Sequence, residues 1–124
     1  VNVVDSSAWL EYLGDGPNAE KFAAAIEDPD SLVVPTIVLF EVFKRTKQLL
    51  GEAAAFEASG LLLQGNVVDL SAGLALDAAV LSAEFGLPMA DSVILATAQA
   101  QEATLWTQDA HFRGFANREF LEKR

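Results

Sequence analysis

The chain has 124 residues, a length that fits one domain, and 52% of them are hydrophobic, with a mean hydropathy of +0.27. It has no cysteine, which excludes disulfides, thiolate zinc sites, iron–sulfur clusters and cysteine nucleophiles. A net charge of −10 argues against a basic surface that binds nucleic acid indiscriminately, so contact with a polyanion would need recruited metal ions, the few basic residues kept close to the site, or both. A chain this short and this apolar is expected to cover part of its surface with a second copy or another protein. No apolar run is long enough to span a bilayer and no signal peptide is readable ahead of Asp5, so no membrane is expected and a reducing cytoplasm is compatible.

Short β-branched runs alternate with longer helical stretches. Residues 1–4 read as a buried strand and residues 7–13 as a helix after it. Pro17 or Asn18 opens a second helix to Ile26, which Asp28-Pro29-Asp30 stops with turn residues. Residues 32–34 form a second strand, and Pro35-Thr36 starts a long helix to Leu50 that Gly51 ends. A fourth helix covers residues 52–63, weakened by Gly60. A third strand follows at 66–70, then Ser71 caps a helix to Glu84 that Gly86 closes. The last helix spans 88–102, the fourth strand 104–107, and residues 115–121 carry only a weak edge-strand pattern. Strands joined by helical crossovers pair in parallel, which predicts a three-layer α/β/α sandwich. No repeat, linker or low-complexity tract divides it.

In open α/β sheets, ligands bind beyond the carboxyl ends of the strands, where strand order reverses. Two apolar strands here run into an aspartate: Val-Asn-Val-Val-Asp5 and Thr-Leu-Trp-Thr-Gln-Asp109. One such aspartate can be a helix cap, whereas two on neighbouring strands point to a site. Glu41 stands in Thr-Ile-Val-Leu-Phe-Glu-Val-Phe, where burial of an unpaired carboxylate is costly. It therefore faces a polar pocket or a cation, unless it pairs with Lys44 or Arg45 along the helix. Asp91 lies near the start of an apolar helix, where the helix dipole alone would favour an anion.

Four carboxylates in one pocket would raise each other's pKa, and a divalent cation resolves that repulsion. An all-oxygen ligand set suits Mg²⁺ or Mn²⁺ rather than zinc, and such an ion can activate water against a phosphodiester. Cleavage by paired histidines is excluded, because His111 is the only one; it reads as a local hydrogen-bonding residue. Lys44, Arg45 and Lys47 follow Glu41, while Arg113 and Arg118 follow Asp109. Those cations either balance surface charge or hold phosphates beside the acidic pocket.

From Val3 to about Phe115 the chain resembles the PIN-domain family, and within it the VapC-type toxins of toxin–antitoxin pairs. The resemblance is carried by Val4-Asp5-Ser6-Ser7, by Glu41 in the third helix, by Gly86-Leu87-Pro88-Met89-Ala90-Asp91-Ser92, and by Thr107-Gln108-Asp109-Ala110-His111-Phe112. It implies a single domain over residues 1–124 with a parallel sheet in the order 3-2-1-4-5. It also implies endonucleolytic cleavage of RNA, with Mg²⁺ or Mn²⁺ held mainly by Asp5 and Asp91 and completed by Asp109. Glu41 would act directly or through water, while Ser6 and Thr107 orient carboxylates. The candidate catalytic set is thus Asp5, Glu41, Asp91, Asp109 and Thr107, and the candidate RNA-binding set is Lys44, Arg45, Lys47 and Arg113. The family further implies a homodimer and a VapB-type antitoxin. Asp69 also follows a strand but falls outside the acidic motifs.

Rival readings fail on particular residues. A receiver-like phosphoacceptor domain needs an acidic pair after the first strand, and a phosphatase with an aspartyl nucleophile needs a second aspartate two residues on; Asp5-Ser6-Ser7 offers neither. The remaining alternative, an inactive PIN-like interaction module, should have lost acidic motif residues, yet all four are present.

Overall fold

The structure, a computed structural model, describes residues 1–115 and 117–124. Its centre is the first strand, β1 (Asn2–Val4), where Val3 and Val4 point to opposite sides and are both buried. A strand covered on both faces is what the unbroken apolar run at the N-terminus requires. The chain continues through α1 (Ser6–Leu13), α2 (Ala19–Ile26), β2 (Leu32–Pro35), α3 (Thr36–Leu50), α4 (Glu52–Leu62) and β3 (Asn66–Val68). It then forms α5 (Ala72–Phe85), α6 (Met89–Ala100), β4 (Thr104–Thr107) and β5 (Arg118–Phe120). All strand pairs are parallel and the sheet order is β3-β2-β1-β4-β5, as expected. Helices α2 and α6 both pack against β1.

One apolar core joins Trp9, Phe22, Val34, Val38, Ile94 and Phe112 to the sheet. A smaller cluster of Ala78, Val93 and Ala96 holds α5 on α6. Large apolar side chains nevertheless remain exposed, among them Phe40, Leu50 and Phe56 on α3 and α4, and Leu76, Val80 and Phe85 on α5. Among the described residues, no single helix is long and apolar enough to cross a membrane.

The structure differs from the sequence reading mainly at element ends. The last helix stops at Ala100, two residues before Glu102. Glu102 takes a left-handed φ of 51°, its N–H donates to the Gln99 carbonyl, and the Ala103 N–H closes on the Ala98 carbonyl at 2.9 Å. This is a Schellman stop with glutamate where glycine is usual, so no glycine marks it in the sequence. Gly86 does mark the end of α5, with φ 68°. The third strand is shorter than expected, ending at Val68, so Asp69 lies beyond it. The weak edge pattern at 115–121 corresponds to β5 over Arg118–Phe120; Ala116 lies outside the described residues. An edge strand has one neighbour and one covered face, so it needs no continuous apolar run, and its charges discourage pairing with other chains.

Candidate active site

Sheet order reverses at β1, which has β2 on one side and β4 on the other. A crevice therefore opens beyond the carboxyl ends of β1 and β4, and both strands deliver an aspartate to it. Asp5 directly follows β1, its N–H still bonded to the Trp106 carbonyl at 3.1 Å. Asp109 follows β4 by two residues. Capping and site formation coincide here: Asp5 Oδ1 accepts the Ala8 N–H at 3.0 Å at the start of α1, and Asp109 Oδ1 accepts the His111 N–H at 2.9 Å.

Asp5 is 2% exposed and heavily bonded. Its Oδ1 also accepts from Ser7 Oγ at 2.7 Å, and its Oδ2 accepts from Thr107 Oγ1 at 2.5 Å. Thr107, fully buried, in turn accepts the Asp109 N–H at 2.9 Å and so couples the two strand-end acids. Burial pushes the Asp5 carboxyl up to about 6 despite the bonds from Thr107, Ser7 and Ala8, which pull it down. A carboxylate has about four lone-pair sites, and three donors leave one free on Oδ2.

Asp91 lies in the first turn of α6, where Pro88 is the N-cap residue and no described side chain caps the helix. Its Oδ2 lies 3.0 Å from His111 Nδ1, and Asp109 Oδ1 lies 2.8 Å from the same nitrogen. One ligand atom from each of Asp91, Asp109 and His111 falls within 4.8 Å of the others. Partial burial raises the Asp91 carboxyl to about 6, the charges of Asp109 and Glu41 add to the rise, and His111 opposes it. A carboxylate crowded by two others and largely withdrawn from water is suited to a cation.

Glu41, half-buried on α3, accepts from Ser6 Oγ at 2.6 Å instead of pairing with Arg45 or Lys44. It lines an open pocket of about 350 Å³ with Ser6, Phe40, Lys44 and Arg45. Here Lys44 Nζ stands 5.8 Å from the Phe40 ring and Arg45 Nη1 reaches Gln48 at 3.5 Å. Lys47, one turn further on, is exposed and does not line that pocket. Arg113 is bonded to Glu122 at 2.6 Å, and its guanidinium lies over the Phe120 ring. Arg118 stacks over the same ring.

The structure thus brings Asp5, Thr107 and Asp109 into one hydrogen-bonded set, with Asp91 beside Asp109 and within electrostatic reach of Glu41. Sequence reading missed four supporting contacts. His111 reaches across to Asp91, not only to its own turn, because the 3-10 turn at 110–112 aims its ring over the first turn of α6. Gln108 N donates to Ser7 Oγ at 3.3 Å, and Asn18 Nδ2 donates to Gln108 Oε1 at 3.1 Å and to the Glu122 carbonyl at 2.9 Å. Asn18 and Gln108 are both buried, so this network pins the chain after β4 to the start of α2. A His two residues after a strand-end Asp was the only readable signal for any of these.

The fold has close relatives among solved structures. A toxin–antitoxin complex from Klebsiella pneumoniae superposes with TM-score 0.79 at 23% identity, covering 96% of each chain. The VapC20 toxin of Mycobacterium tuberculosis, described as cleaving the sarcin–ricin loop, gives TM-score 0.75 at 19% identity, covering 94% of this chain and 98% of that one. VapBC2 from Rickettsia felis, bound to a promoter DNA fragment, gives 0.75 at 17% identity over 96% and 97%. No curated protein sequence matches significantly. The PIN domain model, however, matches residues 3–117, and the chain belongs to the PIN domain family.

Proposed function

We propose that this protein is a divalent-metal-dependent endoribonuclease, the VapC-type toxin of a toxin–antitoxin pair, acting as one domain over residues 1–124. The observation that carries the reading is the gathering of Asp91 and Asp109 oxygens around His111 Nδ1, with the three ligand atoms within 4.8 Å of one another, beside the Asp5–Thr107 pair. The donor set fits Mg²⁺ or Mn²⁺: hard carboxylate oxygens, with the Asp91 carboxyl raised to about 6 first by burial and then by the charges of Asp109 and Glu41, a strain that a cation would relieve.

Asp91 and Asp109 would hold the ion, with Asp5 completing the set through its remaining Oδ2 lone pair. The chemistry such an ion would supply is activation of a water against the phosphodiester and stabilisation of the charge that develops there. Thr107 fixes Asp5 through a short bond and positions Asp109 through its backbone N–H, so one hydroxyl sets two acids. Glu41, held by Ser6 and lining the pocket with Lys44 and Arg45, would accept a proton from the attacking water, directly or through a second water. Lys44 and Arg45 would hold the RNA backbone beside Glu41, where local positive charge offsets the acidity of the chain. Lys47 would add charge further along the strand path. Arg113, engaged with Glu122, is a weaker candidate for RNA.

A homodimer and a VapB-type antitoxin are proposed to cover the apolar side chains left exposed on α3, α4 and α5. Structural relatives that include toxin–antitoxin complexes support that partnership. An RNA substrate would place the protein in the cytoplasm. The test is to incubate purified protein, freed of partner, with RNA and Mg²⁺ or Mn²⁺. Cleavage abolished by EDTA and by Asp5→Ala is the expected result; cleavage that survives either treatment overturns the reading.

A further inference from the structure

The sole histidine of the chain stands inside the acidic crevice, and nothing in the proposed chemistry uses it. Its Nδ1 lies 3.0 Å from Asp91 Oδ2 and 2.8 Å from Asp109 Oδ1. The three ligand atoms lie within 4.8 Å of one another, a spacing that a single ion can span. The ring is also the most accessible of the three side chains, at 54% exposure against 14% for Asp91 and 27% for Asp109. It therefore has room to turn toward an ion without disturbing the core. Its backbone is held by the bond from its N–H to Asp109 Oδ1, so the ring and that carboxylate are presented as a unit.

Resting on the proposed metal site at Asp91 and Asp109, we propose that His111 is a further ligand of that ion through Nδ1, and that it biases the site from Mg²⁺ toward Mn²⁺. An all-carboxylate site leaves the two ions to be chosen by size and hydration. An imidazole nitrogen is a softer donor that follows the Irving–Williams order, so it rewards a transition metal and offers little to Mg²⁺. To bind an ion through Nδ1, the ring must present that nitrogen as a lone pair, which leaves the ring proton on Nε2.

Pulsed EPR on Mn²⁺-loaded protein, purified without a histidine tag, tests this directly. Because His111 is the only histidine, any imidazole ¹⁴N coupling on the bound ion must come from it. The coupling is expected in the wild type and should vanish in His111→Gln. Titration of the full chain should show Mn²⁺ affinity falling by about tenfold in that variant, with Mg²⁺ affinity changing by less than about twofold. Circular dichroism should show the variant folded, as expected for an exposed side chain. Mn²⁺ bound without ¹⁴N coupling overturns the ligand assignment. So does a rise in Mn²⁺ affinity on removing the ring, which would make His111 a competitor. In both of those cases loss of binding in Asp91→Asn leaves the carboxylate site standing. If wild type binds neither ion, or Asp91→Asn binds as well as wild type, the metal site itself falls and this proposal with it.

Discussion

Replacing Asp91 by asparagine removes a charge from the most crowded carboxylate in the crevice while preserving its shape. Moving an aspartate from its ordinary 3.8 to about 6 means that ionising it at pH 7 costs the folded protein up to about 3 kcal/mol. Water reaches part of the side chain, which is 14% exposed, so screening reduces this to roughly 1.5 kcal/mol. Against that gain stands the lost attraction of a negative charge for the N-terminal turn of α6, about 0.5 kcal/mol. Metal-free Asp91→Asn should therefore be more stable than wild type by about 1 kcal/mol at pH 7, raising Tm by roughly 4 °C for a domain of this size. Thermal unfolding in EDTA, followed by circular dichroism at pH 7 and at pH 4, measures it. The advantage should disappear at pH 4, where the wild-type carboxyl is largely protonated, and the variant should lose the Tm gain that Mn²⁺ gives the wild type. A loss of 1 kcal/mol or more at pH 7 without metal would refute the reasoning and make Asp91 a helix-start residue instead of a strained ligand.

Four further outcomes follow from the same geometry. Thr107→Val keeps the buried volume but leaves Asp5 Oδ2 and the Asp109 N–H without their partner; urea unfolding at pH 7 should show a loss of about 2–4 kcal/mol, and RNA cleavage should fall with it. Thr107→Ser should recover most of both. Asp5 has a folded pKa raised from 3.8 to about 6, so its stabilising contribution is fully present below about pH 4 and is lost as pH rises through 6. Metal-free protein should then have a lower urea midpoint at pH 7 than at pH 5, and saturating Mn²⁺ should remove the difference; a midpoint that climbs toward pH 7 in EDTA counts against an ionised, buried Asp5. Charge reversal at Lys44 and Arg45 together should weaken RNA binding and flatten its dependence on salt by about two counterions, whereas reversal at Arg113 should do little.

Much of this molecule is legible along the chain because its elements are local and its acids sit at element ends. The unbroken apolar run before Asp5 marks a central parallel strand, Gly86 with its left-handed φ marks the end of α5, and β-branched runs separated by helices demand a parallel sheet. Glu41 could be singled out without any partner in view, since an apolar helix face gives a carboxylate few inexpensive places to go. Asp5 and Asp109 were visible as strand-end acids for the same kind of reason.

What sequence spacing cannot express is which of these groups satisfy one another. That Ser6 bonds Glu41, that Thr107 bonds Asp5, and that Asn18 meets Gln108 and Glu122 across the fold depend on contacts between residues 35 to 104 positions apart. Such contacts exist only once the sheet is assembled. His111 is the clearest case. Its local environment describes a residue bonded within its own turn, and only the packing of that turn over the start of α6 brings its ring between two aspartates. The sequence by itself determined the inventory of acids and the strand ends that carry them; the tertiary structure decided which oxygen faces which donor, because hydrogen-bond geometry is a property of assembled neighbours and not of the order of residues.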